Sequence, residues 1–145
     1  EEWWEFHDFV AEVEDLPIGT LVSNGCATDL SDEVVAAYEA PFPDVDHKAG
    51  ARAWPLLVPT SPDDGGASRL ADARDALGEW AKPAFVLFSD SDPITHDARD
   101  PLRELIPTAS EQPDVWVEGA GHFLQEDAGE RVADHIAGFI ERTEP

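Results

Sequence analysis

At 145 residues with 42% apolar side chains, the chain is long enough to form one domain of ordinary size around a hydrophobic core. Its 32 acidic residues against 9 basic ones give a formal charge of −23, which excludes nucleic acid and anionic membranes as natural partners because both would be repelled. The acids are spread through every predicted element instead of forming a tail, a pattern typical of proteins from a high-salt cytoplasm. We therefore predict a halophilic, cytoplasmic protein with an acidic surface; an acidic mesophilic protein is the alternative.

The cysteine and histidine content argues against a disulfide or a metal centre. Cys26 is the single cysteine, so no intramolecular disulfide can form, which fits a reducing cytosol. No Cys/His cluster has zinc-binding spacing, and we predict neither a metal nor a cofactor. No apolar run approaches the length that spans a membrane.

Residues 1–58 predict short helices separated by proline corners, with no strand pattern. The first helix has one apolar face at helical spacing, formed by Phe6, Phe9, Val10 and Val13. A later helix begins after Ser31 or Asp29 as the N-cap and ends at Pro41. Another helical segment covers 49–57. This pattern is typical of a helical cap region.

Residues 59–145 predict a different architecture. A linker by composition, 59–66, leads into a helix capped by Ser68. Continuous apolar runs then predict buried parallel strands near 84–89 and 114–118. The runs alternate with helices over about 97–106 and 127–142, so the sequence predicts an α/β region with parallel strands and packed helices.

An acidic side chain follows the first of these strands, and a histidine follows the second. The second strand ends in Gly119-Ala120-Gly121, and His122 comes next. Asp92 lies just past the carboxyl end of the first strand, where functional groups collect in open α/β sheets, and Asp90 is the rival acid. An acid followed by a histidine after the next strand is the chain order of the α/β-hydrolase acid and base. The alternative is an ordinary strand–helix connection with an exposed histidine.

Four segments carry a resemblance to a known family. They are AAYEAPFPD (36–44), GARAWPLLVP (50–59), FSDSDPIT (88–95) and GAGHFLQED (119–127), and together they resemble haloalkane dehalogenases of the α/β-hydrolase fold. The resemblance covers nearly the whole chain and begins near the start of the family's cap domain. It implies a helical cap over 1–58 and the C-terminal part of the α/β-hydrolase core over 59–145.

The resemblance also implies a covalent mechanism. In this family an Asp carboxylate displaces halide from carbon, and a His then activates water to hydrolyse the resulting ester. His122 matches the base and Asp92 the acid that orients it. Gly-x-Ser-x-Gly and Gly-x-Asp-x-Gly nucleophile elbows are both absent from residues 1–145, so we expect the nucleophile and the oxyanion donors in a missing N-terminal half. This chain alone is expected to be inactive.

The family also implies a halide and substrate site. Phe6 stands where the family has a cap Trp, and a phenyl ring has no N–H donor, so Trp4 or Trp3 is the expected donor. Trp54 and Phe123 match residues that line the substrate pocket. Ile94 and Thr95 match others around it.

The implied partners are a small halogenated hydrocarbon, water and a halide ion. Two alternatives remain open. The first is another α/β hydrolase: an elbow Ser would indicate an esterase, whereas an epoxide hydrolase would need cap tyrosines, and Tyr38 is the only tyrosine. The second is a non-catalytic remnant that pairs with a partner chain.

Overall fold

The computed structural model describes residues 2–144 and divides them into two compact units. Unit 1 reaches Asn24 and resumes from Asp29 to Arg69; unit 2 comprises Gly25–Thr28 and the chain from Leu70 onward. The domain boundary predicted between 58 and 59 falls inside unit 1. Glu1 and Pro145, the outer ends of the predicted domains, lie outside the described residues.

Unit 1 is helical, as predicted for residues 1–58, and no strand occurs among its described residues. Its helices are α1 (Glu2–Glu12), α2 (Ile18–Gly25, whose last residue belongs to unit 2), α3 (Asp32–Glu39) and α4 (Ala49–Leu56). Helix α1 packs against α4, and the side chains of Val10, Leu16 and Val22 are buried. Of the predicted apolar face on α1, Val10 is buried and Phe6 and Val13 are half-buried, whereas Phe9 is 40% exposed.

The start of α3 follows the predicted capping chemistry. Ser31 has an extended backbone (φ −68°, ψ 154°), and its hydroxyl accepts a hydrogen bond from the Val34 N–H at 3.4 Å. This bond satisfies one of the amide groups that a helix leaves unpaired at its N-terminus. Asp32 and Glu33 place negative charge in the first turn, where the helix dipole favours it. The N-cap prediction is confirmed for Ser31.

A buried lysine joins three segments of unit 1. Lys48 is only 3% exposed, and its ammonium donates to Asp15 at 2.7 Å and to Glu39. Glu39 also accepts the Gly19 N–H at 2.8 Å. The Gly19 N–H and the Lys48 ammonium hold the pKa of Glu39 below its usual range. These bonds connect the start of α2, the end of α3 and the start of α4.

Unit 2 contains the parallel pair that positions the candidate site. Strand β1 (Phe88–Ser89) pairs with β2 (Trp116–Val117) in parallel register, Phe88 opposite Trp116 and Ser89 opposite Val117. The predicted parallel pairing is confirmed. The predicted strand lengths, 84–89 and 114–118, are wrong, because only two residues of each run join the hydrogen-bond ladder. Residues such as Val86 bury their side chains without joining it.

The helices of unit 2 flank this pair. They are α5 (Ala67–Gly78), which begins in unit 1, α6 (Arg99–Leu105) and α7 (Leu124–Thr143). Ser68 lies inside α5 and is not its N-cap, and a 3₁₀ turn at His96–Ala98 delays the start of the helix predicted from residue 97. Ala128 interrupts α7 with non-helical angles (φ −148°, ψ 34°).

Two small apolar clusters form the core of unit 2. Val86, Ile106 and Ala109 make one cluster, and Val117, Ala120 and Ala128 make the other. The second cluster lies directly beneath the Gly-Ala-Gly turn that precedes His122, because Ala120 belongs to both. None of the described helices is long and apolar enough to cross a membrane.

Candidate functional site

The carboxyl ends of β1 and β2 bring two loops together. The Asp90 N–H donates to the Val117 carbonyl at 3.3 Å, and the Ser91 N–H donates to the Ala120 carbonyl at 3.1 Å. Parallel strands end at one edge of a sheet, so the segment after β1 runs alongside the segment after β2. This arrangement sets Asp92 opposite His122.

Asp92 and His122 are in contact. His122 Nδ1 lies 3.1 Å from both carboxylate oxygens of Asp92. Asp92 is 5% exposed, whereas the His122 side chain is 32% exposed. With its proton on Nδ1, the imidazole donates to the carboxylate and leaves Nε2 free to accept a proton. The predicted proximity is confirmed; the catalytic roles of the two residues stay predictions.

Asp92 has further donors close to it in sequence. The Ile94 N–H donates to one carboxylate oxygen at 2.8 Å, and the Thr95 hydroxyl donates to the other. Burial alone would raise the pKa of Asp92, but the Thr95 hydroxyl, the Ile94 N–H and His122 outweigh it and lower that pKa. Asp92 therefore stays ionised beside the imidazole. The family resemblance predicted that Ile94 and Thr95 lie around the substrate. The sequence Asp-Pro-Ile-Thr, with a hydroxyl three residues after the acid, is the pattern that could have indicated their hydrogen bonds to Asp92.

Asp90, the rival acid, is engaged elsewhere. Its carboxylate accepts the Gly119 N–H at 2.7 Å and the Ser91 hydroxyl at 2.9 Å. The Ser91 hydroxyl and the Gly119 N–H lower the pKa of Asp90. Gly119 has φ +69°, a left-handed conformation that favours glycine, so Asp90 holds the turn before the histidine and not the imidazole itself. The geometry favours Asp92 as the acid.

The histidine loop has further ties that the sequence did not reveal. The Ser89 hydroxyl, buried at the end of β1, donates to the Gly121 carbonyl at 2.6 Å. From the other side, the Asp127 carboxylate accepts the Gly121 N–H at 2.8 Å. Asp127 also binds Ala27 and Thr28, which are about a hundred residues away in sequence. No local sequence pattern indicates a contact between residues so far apart in the chain.

The predicted halide and substrate residues divide between the two units. Phe123 lies beside His122, ring centroids 5.1 Å apart and edge to face. Trp4, Phe6 and Trp54 belong to unit 1, where Trp4 is 51% and Trp54 74% exposed. Phe6 is half-buried, and its ring lies 6.1 Å from that of Trp3. Their roles toward halide and substrate stay predictions.

Two of the cavities are lined by acidic side chains. One of about 320 Å³ beside the acid loop is lined by Asp90, Asp92 and Asp97, so it would repel a halide ion. A larger groove of about 660 Å³ lies within unit 1 and is lined by Asp15, Glu39 and Lys48 among others. Among the described residues, no group of three or more His, Cys, Asp or Glu side chains is arranged to hold a metal ion.

Comparison with known proteins identifies haloalkane dehalogenases as relatives. The chain is 41% identical to a haloalkane dehalogenase of Psychrobacter cryohalolentis, over 94% of this chain and 45% of that protein. It is 46% identical to a haloalkane dehalogenase of Mycobacterium marinum, over 86% of this chain and 41% of that protein. No family model matches the chain.

A solved structure supports the same relationship. The haloalkane dehalogenase DpaA of Paraglaciecola agarilytica, described as tetrameric, superposes with a TM-score of 0.80 at 26% identity, covering 94% of this chain and 46% of that one. The predicted fold class is confirmed: the chain has the fold of part of an α/β hydrolase. The chain spans less than half the length of the curated relatives it matches. Its similarity to these homologues supports a relationship to the haloalkane dehalogenase family.

Proposed function

We propose that this homologue of haloalkane dehalogenases supplies the acid–base pair of a hydrolase that cleaves carbon–halogen bonds. The observation that carries the proposal is the contact of His122 Nδ1 with both oxygens of a buried Asp92. In this proposal residues 1–58 are the cap, 59–145 are the C-terminal part of the core, and an N-terminal half supplies the nucleophile.

The chemistry has two steps. A carboxylate oxygen of the elbow Asp attacks the carbon that bears the halogen; a carbon–oxygen bond forms, and the halide leaves with the electron pair of the broken bond. A carboxylate suits this step because it is already deprotonated at neutral pH. Water then gives one proton to His122 and adds to the carbonyl carbon of the ester. The bond from that carbon to the alkoxy oxygen breaks, the alkoxy group leaves as the alcohol with the second proton of the water, the carboxylate is regenerated, and the imidazolium releases its proton to solvent.

His122 acts in the second step alone. Its free Nε2 takes the proton from the attacking water, and the Asp92 carboxylate stabilises the imidazolium that forms. A carboxylate that kept its own proton could not do this, and the lowered pKa of Asp92 maintains its charge. The buried position of Asp92 also strengthens its attraction to the imidazolium, since less water screens it.

The remaining predicted residues are proposed to bind the substrate and halide. Trp4 would donate its indole N–H to the halide in place of Phe6, which lacks a donor, and Phe6, Trp54 and Phe123 would contact the hydrocarbon. Phe123 has geometric support because its ring already lies against His122. A cytoplasmic location, supported by the single cysteine, belongs to the same proposal.

Halide release by a reassembled enzyme tests the proposal. The 145-residue chain is mixed or fused with an N-terminal half that carries an elbow Asp, and bromide release from short bromoalkanes is measured. We expect no release from the chain alone and steady release from the reassembled enzyme. The matched control replaces the elbow Asp by Ala and should abolish release.

Two outcomes would contradict this function. Release by the chain alone would mean that the nucleophile is not where we place it. Hydrolysis of an aryl ester by the folded, reassembled enzyme without any release of bromide would instead indicate the esterase alternative.

A further inference from the structure

Four donors converge on the carboxylate of Asp127, in the first turn of α7. Oδ2 accepts the backbone N–H groups of Gly121 and Ala27, both at 2.8 Å. Oδ1 accepts the Thr28 N–H at 2.9 Å and the Thr28 hydroxyl at 2.5 Å. One side chain therefore ties the loop that carries His122 to the segment Gly25–Thr28, within unit 2.

The segment Gly25–Thr28 and the loop that carries His122 pack so closely that no side chain fits between them at Gly121. A Cβ atom on Gly121 would lie 2.6 Å from the Gly25 carbonyl oxygen and 2.8 Å from the Ala27 nitrogen, so no other residue fits there. The Phe123 N–H donates to the same Gly25 carbonyl at 3.3 Å. The backbone on both sides of His122 is thus bonded to Gly25–Thr28 or to Asp127.

From this convergence we propose that Asp127 is a positioning residue that holds the His122 imidazole against Asp92. It acts through the Gly121 N–H and the Gly25–Thr28 segment, and it does not touch the imidazole itself. The inference deepens the proposed function, on which it rests for the role of His122 as a base. The geometric effect can be measured without any dehalogenase activity.

The imidazole needs such support because few contacts fix its orientation. Its Nδ1 meets Asp92, and its ring meets the edge of Phe123, while about a third of the side chain remains exposed. A small rotation of the Gly121 peptide would move Nδ1 beyond hydrogen-bond reach of the buried carboxylate. Exposed imidazole then loses its preference for the Nδ1–H form.

A carboxylate is the group that this position requires. Both of its oxygens accept hydrogen bonds, and all four partners are donors. Asparagine has nearly the same shape but would turn an NH₂ group toward two of these donors. Burial raises the pKa of Asp127, yet the Thr28 hydroxyl and the N–H groups of Ala27, Gly121 and Thr28 lower it to about 2, so the acceptor is ionised at neutral pH.

The test is the tautomer of His122, read from the ¹⁵N shifts of its ring in the full chain. The signals are assigned among the five histidines by loss in His122→Gln, at a pH where the shifts report a neutral ring. We expect a single Nδ1–H tautomer in the unmodified chain. In Asp127→Asn we expect a mixture in which the Nε2–H form rises severalfold.

Matched variants separate positioning from general destabilisation. Asp134→Asn removes an exposed acid from the same helix and should leave the tautomer unchanged. Thr28→Val removes only the hydroxyl and should give a smaller shift, whereas Thr28→Ser keeps the hydroxyl and should behave like the unmodified chain. Circular dichroism confirms folding at each measurement, and Thr28→Val replaces Asp127→Asn as the decisive variant if the latter unfolds.

Asp92→Asn distinguishes failure of this inference from failure of the proposed function. Loss of the Nδ1–H tautomer in Asp92→Asn but not in folded Asp127→Asn would overturn the positioning role alone. Retention of that tautomer in Asp92→Asn would show that Asp92 does not set the tautomer of His122. That result would overturn both the inference and the proposed function.

Discussion

At the scale of single residues, acids of the same type have different partners and therefore different roles. Asp92 binds an imidazole, Asp90 binds a glycine N–H in a left-handed turn, and Asp127 binds two chain segments. Chain order and strand ends predicted an acid–histidine pair with Asp92 and Asp90 as candidate acids, and the family resemblance favoured Asp92, which does contact His122. The contact between Thr28 and Asp127 could not be predicted, because no periodicity or spacing connects residues so far apart.

Asp127 also gives the stability of the fold a specific dependence on pH. Its pKa of about 2 lies below its ordinary value of 3.8, so its contribution is fully present above pH 4 and is lost as pH falls toward 2. Such a pKa shift corresponds to a contribution on the order of 2 kcal/mol to the free energy of unfolding. Solvent screening of the partly exposed carboxylate lowers this contribution to roughly 1 kcal/mol. Asp127→Asn should lose this amount at neutral pH.

Urea unfolding at a series of pH values measures this effect. The difference in free energy of unfolding between the unmodified chain and Asp127→Asn should be constant from pH 5 to 7 and shrink as pH falls below about 4. Asp134→Asn serves as the exposed control, with a difference near zero throughout. A difference for Asp127→Asn that grows as pH falls would contradict the assignment of Asp127 as an ionised acceptor.

At the scale of elements, the sequence identified helices and parallel strands but not their limits. Apolar runs mark burial, and burial extends beyond the two-residue ladder of β1 and β2, so the predicted strands were too long. Ser68 satisfies the composition of an N-cap, but α5 already begins at Ala67. Ser31 satisfies the same rule and does cap its helix, so composition alone cannot separate the two cases.

The two glycines of the Gly-Ala-Gly turn are required for different physical reasons. Gly119 adopts φ +69°, a left-handed conformation that favours glycine. Gly121 has no positive φ; it is required because the backbone of residues 25–27 approaches too closely for a side chain. A close approach of this kind depends on tertiary packing and cannot be deduced from the sequence.

At the scale of the whole molecule, the excess of acids is the dominant physical feature. Two of the nine bases are buried in ion pairs: Lys48 with Asp15 and Glu39, and Arg99 with Asp100 and Asp114. These bases neutralise acids within the fold and contribute little positive charge to the surface. Acids exposed on helices such as α7 therefore repel one another at low ionic strength.

We expect the fold to become more stable as salt is added. The melting temperature should rise between about 0.1 M and molar KCl, because the screening length falls from about 10 Å to about 3 Å. Sucrose in place of KCl is the control for non-ionic stabilisation, and its effect is subtracted. A melting temperature that stays flat in KCl would remove the argument for a halophilic protein.

The most direct test of the central claim, that His122 is the base of the second step only, is a single turnover by His122→Ala. In the reassembled enzyme we expect about one bromide released per site, after which mass spectrometry shows the alkyl group retained on the protein as an ester. His96→Ala, which alters a half-exposed histidine stacked on Trp116, is the control and should turn over continuously. Steady turnover by His122→Ala, or a failure to release the first bromide, would contradict the account.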